Sequence, residues 1–125
     1  MVTITIDGKQ YNLELKARMI ETVELTLKSK KSLIDIFMPV DVKVNNKKDA
    51  EVGSLKYCSL GDMLRIFWAE LQVNNTNDHI ISYDEACDLY DKYIESEEGS
   101  KLGPIGFYVL LGKGARFFTN ADVKK

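Results

Sequence analysis

The first fifteen residues pose the folding problem for the rest of the chain. In "VTITIDGKQYNLEL", Val2, Ile4 and Ile6 alternate with Thr and Asp, and Tyr11, Leu13 and Leu15 alternate with Asn and Glu. Strand side chains point to opposite faces with a period of two, so both runs read as strands with one apolar face. Asp7-Gly8 stands between them, and glycine supplies the positive φ that a tight hairpin needs. The connection is either that pair alone or the longer stretch 7–10. An isolated two-stranded hairpin is marginal in water, so its apolar face must lie on something else.

The chain downstream offers helices to cover it. Over residues 16–28, Met19, Ile20, Val23 and Leu27 share one helical face, while Arg18, Glu21 and Glu24 lie elsewhere. Ser32 is placed to cap a short helix "LIDIFM", which Pro39 stops because proline has no N–H to donate. "SLGDMLRIFWAELQ" carries Met63, Leu64, Phe67, Trp68 and Leu71 as a broad apolar stripe, with Ser59 and Asp62 in the spacing of a capping box. A second capping box, Ser82 and Glu85, opens a helix whose packing face is Ala86, Leu89, Tyr90, Tyr93 and Ile94. Gly99 is expected to cap its end, and a last helix to run over 101–111 with Pro104 in its first turn.

The expected fold is therefore α+β, mainly α, an N-terminal β-hairpin packed on a bundle of about four to five short helices. One domain spans 1–125: hairpin 1–15, helices 16–38, polar loop 39–58, a helical part 59–111 and a tail 112–125. Within the loop, Val40, Val42 and Val44 alternate as in a strand, whereas "NNKKDAEVGS" reads as exposed.

Charge and composition exclude several functions. A net charge of -2 and a pI near 5.4 lack the basic balance of a dedicated nucleic-acid binder. The longest apolar run, "FYVLL", is far shorter than the about 20 residues a membrane helix needs. No secretory signal opens the sequence, and two cysteines, Cys58 and Cys87, allow at most one disulfide. The expectation is a cytoplasmic protein in a reducing compartment.

"SYDEACDLYDKYI" is the stretch that most resembles a site. Asp84, Asp88, Asp91 and Glu95 fall on one stripe of the helix, away from its packing face. Acid–base catalysis by paired carboxylates needs two acids in different environments, and a solvated stripe gives all of them the same one. A calcium loop would need a central glycine, which is absent. His79 is the single histidine, and it stands apart from Cys58 and Cys87, so zinc spacing and a nucleophile–base pair are both missing. "GFYVLLGKGA" has the wrong glycine spacing and too apolar a centre for a phosphate loop. Expected, then, are no catalytic residue, no cofactor and no metal ligand. The residues left for partner contact are Arg116, Phe117 and Phe118, which either cover the core or form an exposed patch, and Asp84, Asp88 and Asp91, which would dock a basic partner.

The order of these phrases resembles the small tail assembly chaperones of long-tailed phages, prophages and gene transfer agents. A strand pair, a helix ending in the "KSLIDIF" of 31–37, the "LRIFWAEL" of 64–71 and the capped acidic helix 82–94 match that layout. The segment 41–56 and the tail beyond Gly112 do not. The resemblance implies a non-enzymatic protein of the bacterial host cytoplasm that binds the tape measure protein, keeps it soluble and helps recruit the tail tube protein. It implies no nucleic acid and no membrane, and leaves self-association open. Many relatives also have an extended form made by ribosomal frameshifting. The alternative is a small structural or regulatory protein-interaction domain unrelated to tail assembly.

Overall fold

The computed structural model describes residues 2–37 and 58–117. β1 (Val2–Ile6) pairs antiparallel with β2 (Lys9–Leu13), from Ile6 opposite Lys9 to Val2 opposite Leu13. The connection is the two-residue turn, not the longer one, and both Asp7 and Gly8 take positive φ, 52° and 79°. That conformation matches the twist of the flanking strands, and aspartate is among the few side chains that tolerate it. Ile4, Ile6, Tyr11, Leu13 and Leu15 are all buried, as the alternation requires.

Five helices follow among the described residues, so the fold is α+β and mainly α. They are α1 (Ala17–Thr26), α2 (Leu33–Phe37), α3 (Leu60–Leu71), α4 (Tyr83–Glu95) and α5 (Glu97–Gly114). A short 3₁₀ turn, Gln72–Asn74, extends α3. β2 lies against α3, β1 against α4, and α3, α4 and α5 pack on one another. Aromatic rings fill the centre: Phe107 meets Tyr90 at 4.9 Å and Phe67 at 5.3 Å, both edge to face. Phe37 meets Tyr108 at 5.3 Å, and the Tyr108 hydroxyl donates to the Ile36 carbonyl at 2.6 Å. Such ring pairs add about 0.5–1.5 kcal/mol each beyond their burial.

The helix caps explain where elements begin. Ser59, Ser82 and Ser96 each accept a hydrogen bond from the backbone N–H three residues on, the N-cap geometry. Ser32 does the same for Asp35. The acids of the two expected capping boxes, however, turn elsewhere. Asp62 reaches across to the turn after α1, accepting from the backbone N–H of Lys28 at 2.9 Å and of Ser29 at 3.4 Å. Glu85 meets the His79 ring at 2.8 Å. Glu24 likewise spans two elements, accepting from the Leu33 N–H at the start of α2 at 2.7 Å. Because Asp62 is buried and joins α3 to that turn, Asp62→Ala should cost about 2 kcal/mol, leaving two backbone donors without their acceptor. Asp62→Asn, which keeps an acceptor, should cost less, and urea unfolding midpoints will separate the two.

Several expectations need correction. The buried face of α3 is Met63, Ile66, Phe67, Ala69, Glu70 and Leu71, turned from the expected stripe so that Leu64 and Trp68 are half-buried. Trp68 still packs on the core and donates its indole N–H to the Ile81 carbonyl at 3.1 Å. On α1, Val23 and Leu27 are buried, but Ile20 is exposed, as is Ile94 on α4. Gly99 does not cap α4. Ser96 ends α4 and starts α5, and Gly99 lies in the first turn of α5. The last helix runs past 101–111 at both ends, broken at Gly103 (φ 67°), with Pro104 opening its second stretch. Residues 112–114 are helical, not tail. Pro39, the loop 39–57 and the tail from Phe118 onward lie outside the described residues.

Candidate functional site

The residues expected to meet a partner fall into two places. Asp84, Asp88 and Asp91 are exposed along the outside of α4, Glu95 continues the row, and Lys92 beside them reaches Asp7 at 3.6 Å. Their surroundings are solvent, which is what a docking stripe and an idle surface share. Among the described residues, no group of three or more His, Cys, Asp and Glu side chains is close enough to hold a metal ion.

Arg116 and Phe117 belong to the other end of the molecule and are engaged internally. α5 finishes in a Schellman motif: the Phe117 N–H donates to the Gly112 carbonyl at 2.9 Å and the Arg116 N–H to the Lys113 carbonyl at 3.0 Å. Arg116 occupies the left-handed position usually given to glycine, with φ of 68°, at a cost of roughly 1–2 kcal/mol. Its guanidinium pairs with Glu14, which Lys16 also meets at 3.2 Å. Arg116 and then Lys16 hold the Glu14 carboxyl below its ordinary range. Phe117 is half-buried and stacks on Phe37 at 5.4 Å. Of the two readings open for this pair, Phe117 takes the core-covering one. Phe118 lies outside the described residues.

Beneath this turn is a residue the sequence reading passed over. Glu70 is wholly buried, and among the described residues neither carboxyl oxygen has a hydrogen-bond partner. Burial pushes its carboxyl well above the ordinary range. A methyl group on Gly114 would stand 2.0 Å from Glu70 Oε1 and 3.2 Å from the Leu13 carbonyl, so the carboxyl sits where α3, α5 and the end of β2 cross. Backbone bonds close the crossing: the Glu14 N–H donates to Glu70 O at 3.3 Å and the Leu15 N–H to Gly114 O at 3.0 Å. A sequence signal for it existed. Glu70 lies seven residues after Met63 and three after Phe67, in the middle of the helical stripe that faces inward.

The cysteines are free thiols. Cys58 is buried, which pushes its thiol up to about 12 and leaves it an inert core residue. Cys87 is half-buried one helical turn after Tyr83, whose ring carries the Arg65 guanidinium at 3.5 Å.

Away from these sites, large apolar side chains stand in solvent. Leu25 on α1 is 79% exposed and Ile34 on α2 is 62% exposed. An open groove of about 550 Å³ lies between the two helices, lined by Glu21, Glu24, Leu25, Lys30, Lys31 and Ser32. A second, of about 540 Å³, runs beside β2 and α3 past Asn12, Lys16, Arg18, Met19 and Gln72. No helix among the described residues is long and apolar enough to cross a membrane. No protein-family model, curated protein or solved structure matches the chain.

Proposed function

We propose that this chain is a non-enzymatic assembly chaperone or adaptor of the phage tail type, one that holds a helical stretch of a tape measure protein and helps bring tail tube subunits to it. The observation that supports the reading most is the surface of α1 and α2. In the "KSLIDIF" phrase, Leu33, Ile36 and Phe37 are buried, while Ile34 points outward beside a helix that exposes Leu25. An amphipathic helix of a partner would use such apolar side chains as anchors, with Glu21, Glu24, Lys30 and Lys31 as a charged rim. Partner contact is accordingly better assigned to Leu25 and Ile34 than to Arg116 and Phe117, which are occupied within the fold. The acidic stripe of α4 offers a separate face for a basic segment.

Co-expression with the tape measure protein of the same gene cluster tests this reading. The partner is expected to become soluble and to co-purify, and Leu25→Glu with Ile34→Glu is expected to abolish both without lowering the melting temperature. Solubility unchanged by co-expression would leave the alternative, a structural or regulatory interaction domain. Asp88→Asn with Asp91→Asn should move stability by less than about 0.5 kcal/mol, since exposed substitutions rarely do more. Loss of co-purification in that variant would move the contact to α4.

A further inference from the structure

The crossing over Glu70 joins three features that point to one device. The carboxyl is sealed from water with neither oxygen paired among the described residues. Its cover is the main chain at Gly114, a position with no room for even a methyl group. That cover is the end of α5 and the turn after it, tied down among the described residues by the Leu15–Gly114 hydrogen bond, the Arg116–Glu14 pair, the Phe117–Phe37 stack and the packing of Ala115 on the core. The turn also keeps Arg116 in a left-handed conformation that non-glycine residues disfavour, so it gains by relaxing once released.

The charged groups on the surrounding elements do not neutralise Glu70. Glu14, beyond β2, is taken by Lys16 and Arg116. Lys113 on α5, Arg116 in the turn after it and Arg65 on Glu70's own helix make no hydrogen bond to its carboxyl. Burial disfavours its charged form. A carboxylate formed there has to find water, and the nearest part of the fold that can yield is the turn above it.

We propose that residues 112–117 form a proton-operated latch, shut over Glu70 while its carboxyl is neutral and lifted when the carboxyl loses its proton to solvent. Lifting breaks the Leu15–Gly114 hydrogen bond and bares the stacked faces of Phe37 and Phe117, giving an apolar surface that the shut form hides. The device stands whether or not the chain serves in tail assembly.

Amide hydrogen exchange, followed residue by residue by NMR between pH 5 and pH 9 and expressed as protection factors, tests it. In the unaltered chain, protection at Leu15 and Phe117 is expected to fall by up to about tenfold per pH unit once pH exceeds the ordinary carboxylate range, where a lifted Glu70 ionises, and to level off where the shut form ionises too. Phe67 and Ala86, in α3 and α4, are expected to keep theirs. Glu70→Gln, with Glu70→Met as a second neutral variant, is expected to hold Leu15 and Phe117 flat across the range. Three results would overturn the latch: no pH dependence at Leu15 in the unaltered chain, the same dependence in the neutral variants, or a fall shared equally by Phe67 and Ala86.

Discussion

Gly99→Ala is expected to cost the fold about 3 kcal/mol or more, the upper end for overpacking, read as a lowered melting temperature and urea midpoint. The reason is the corner between α4 and α5. There Ser96 ends one helix and begins the next: its N–H and its hydroxyl both donate to the Tyr93 carbonyl, at 3.0 and 2.5 Å, while its oxygen accepts from the Gly99 N–H at 3.1 Å. The path back from Gly99 brings its Cα against the end of α4. A methyl group would lie 1.9 Å from the Tyr93 oxygen and 2.6 Å from the carbonyl carbon. Both are backbone atoms, so no rotamer change relieves the contact and the helices must part. Tyr93, one of the largest buried side chains, would be carried with them. Ser96→Ala removes the cap alone and should cost about 1 kcal/mol. A cost for Gly99→Ala no greater than that for Ser96→Ala would show that the corner can open without disturbing the core.

Glu70→Met should act in the opposite direction, raising stability at neutral pH by about 1–3 kcal/mol because an apolar side chain of similar length replaces an unsatisfied buried polar one. The pH dependence gives the sharper test. Burial raises the folded-state pKa of Glu70. A raised acid contributes stability that is fully present below its unfolded pKa and is lost as pH rises through the folded one. The unaltered chain should therefore weaken as pH climbs above the ordinary carboxylate range, and Glu70→Met should lack that decline. Glu14 has the opposite sign, since Arg116 and Lys16 lower its pKa, so its contribution is present at neutral pH and lost on acidification. Melting curves from pH 4 to pH 9 on the two chains separate the contributions. Identical pH slopes would mean that Glu70 is already relieved by a partner or by water.

Much of the fold was legible because the signals are local. The hairpin follows from period-two alternation around Asp7-Gly8, and three serines before helical runs mark true N-caps, although Ser96 passed unrecognised behind the more conspicuous Gly99. Gly99 illustrates the limit: a glycine after a helix usually caps it, and only the position of Tyr93 shows that this one is needed for a close approach. Asp62 and Glu85 have capping-box spacing, yet Lys28, Ser29 and His79 compete for their carboxylates from elements distant in sequence. Spacing along one helix cannot show a partner on another. Glu70 fails for a different reason. Its place in the inward stripe was visible, but charged residues inside apolar stripes usually reach solvent, and the closure that seals this one comes from Gly114, 44 positions away.

The clasp between the hairpin and the turn after α5 has a consequence for how the protein is made. Glu14 and Leu15 lie beside the hairpin, and their partners Arg116 and Gly114 are about a hundred residues later in the sequence. Chains emerge from the ribosome N-terminal end first, so the hairpin and α3 are made before the α5 turn that covers them, with the apolar face of one and the carboxyl of the other still wet. Glu70 is hydrated during that interval and loses its water when α5 arrives, where burial disfavours its charged form. Vectorial synthesis thus makes the sealing of Glu70 a late event, waiting on a glycine made 44 residues after it.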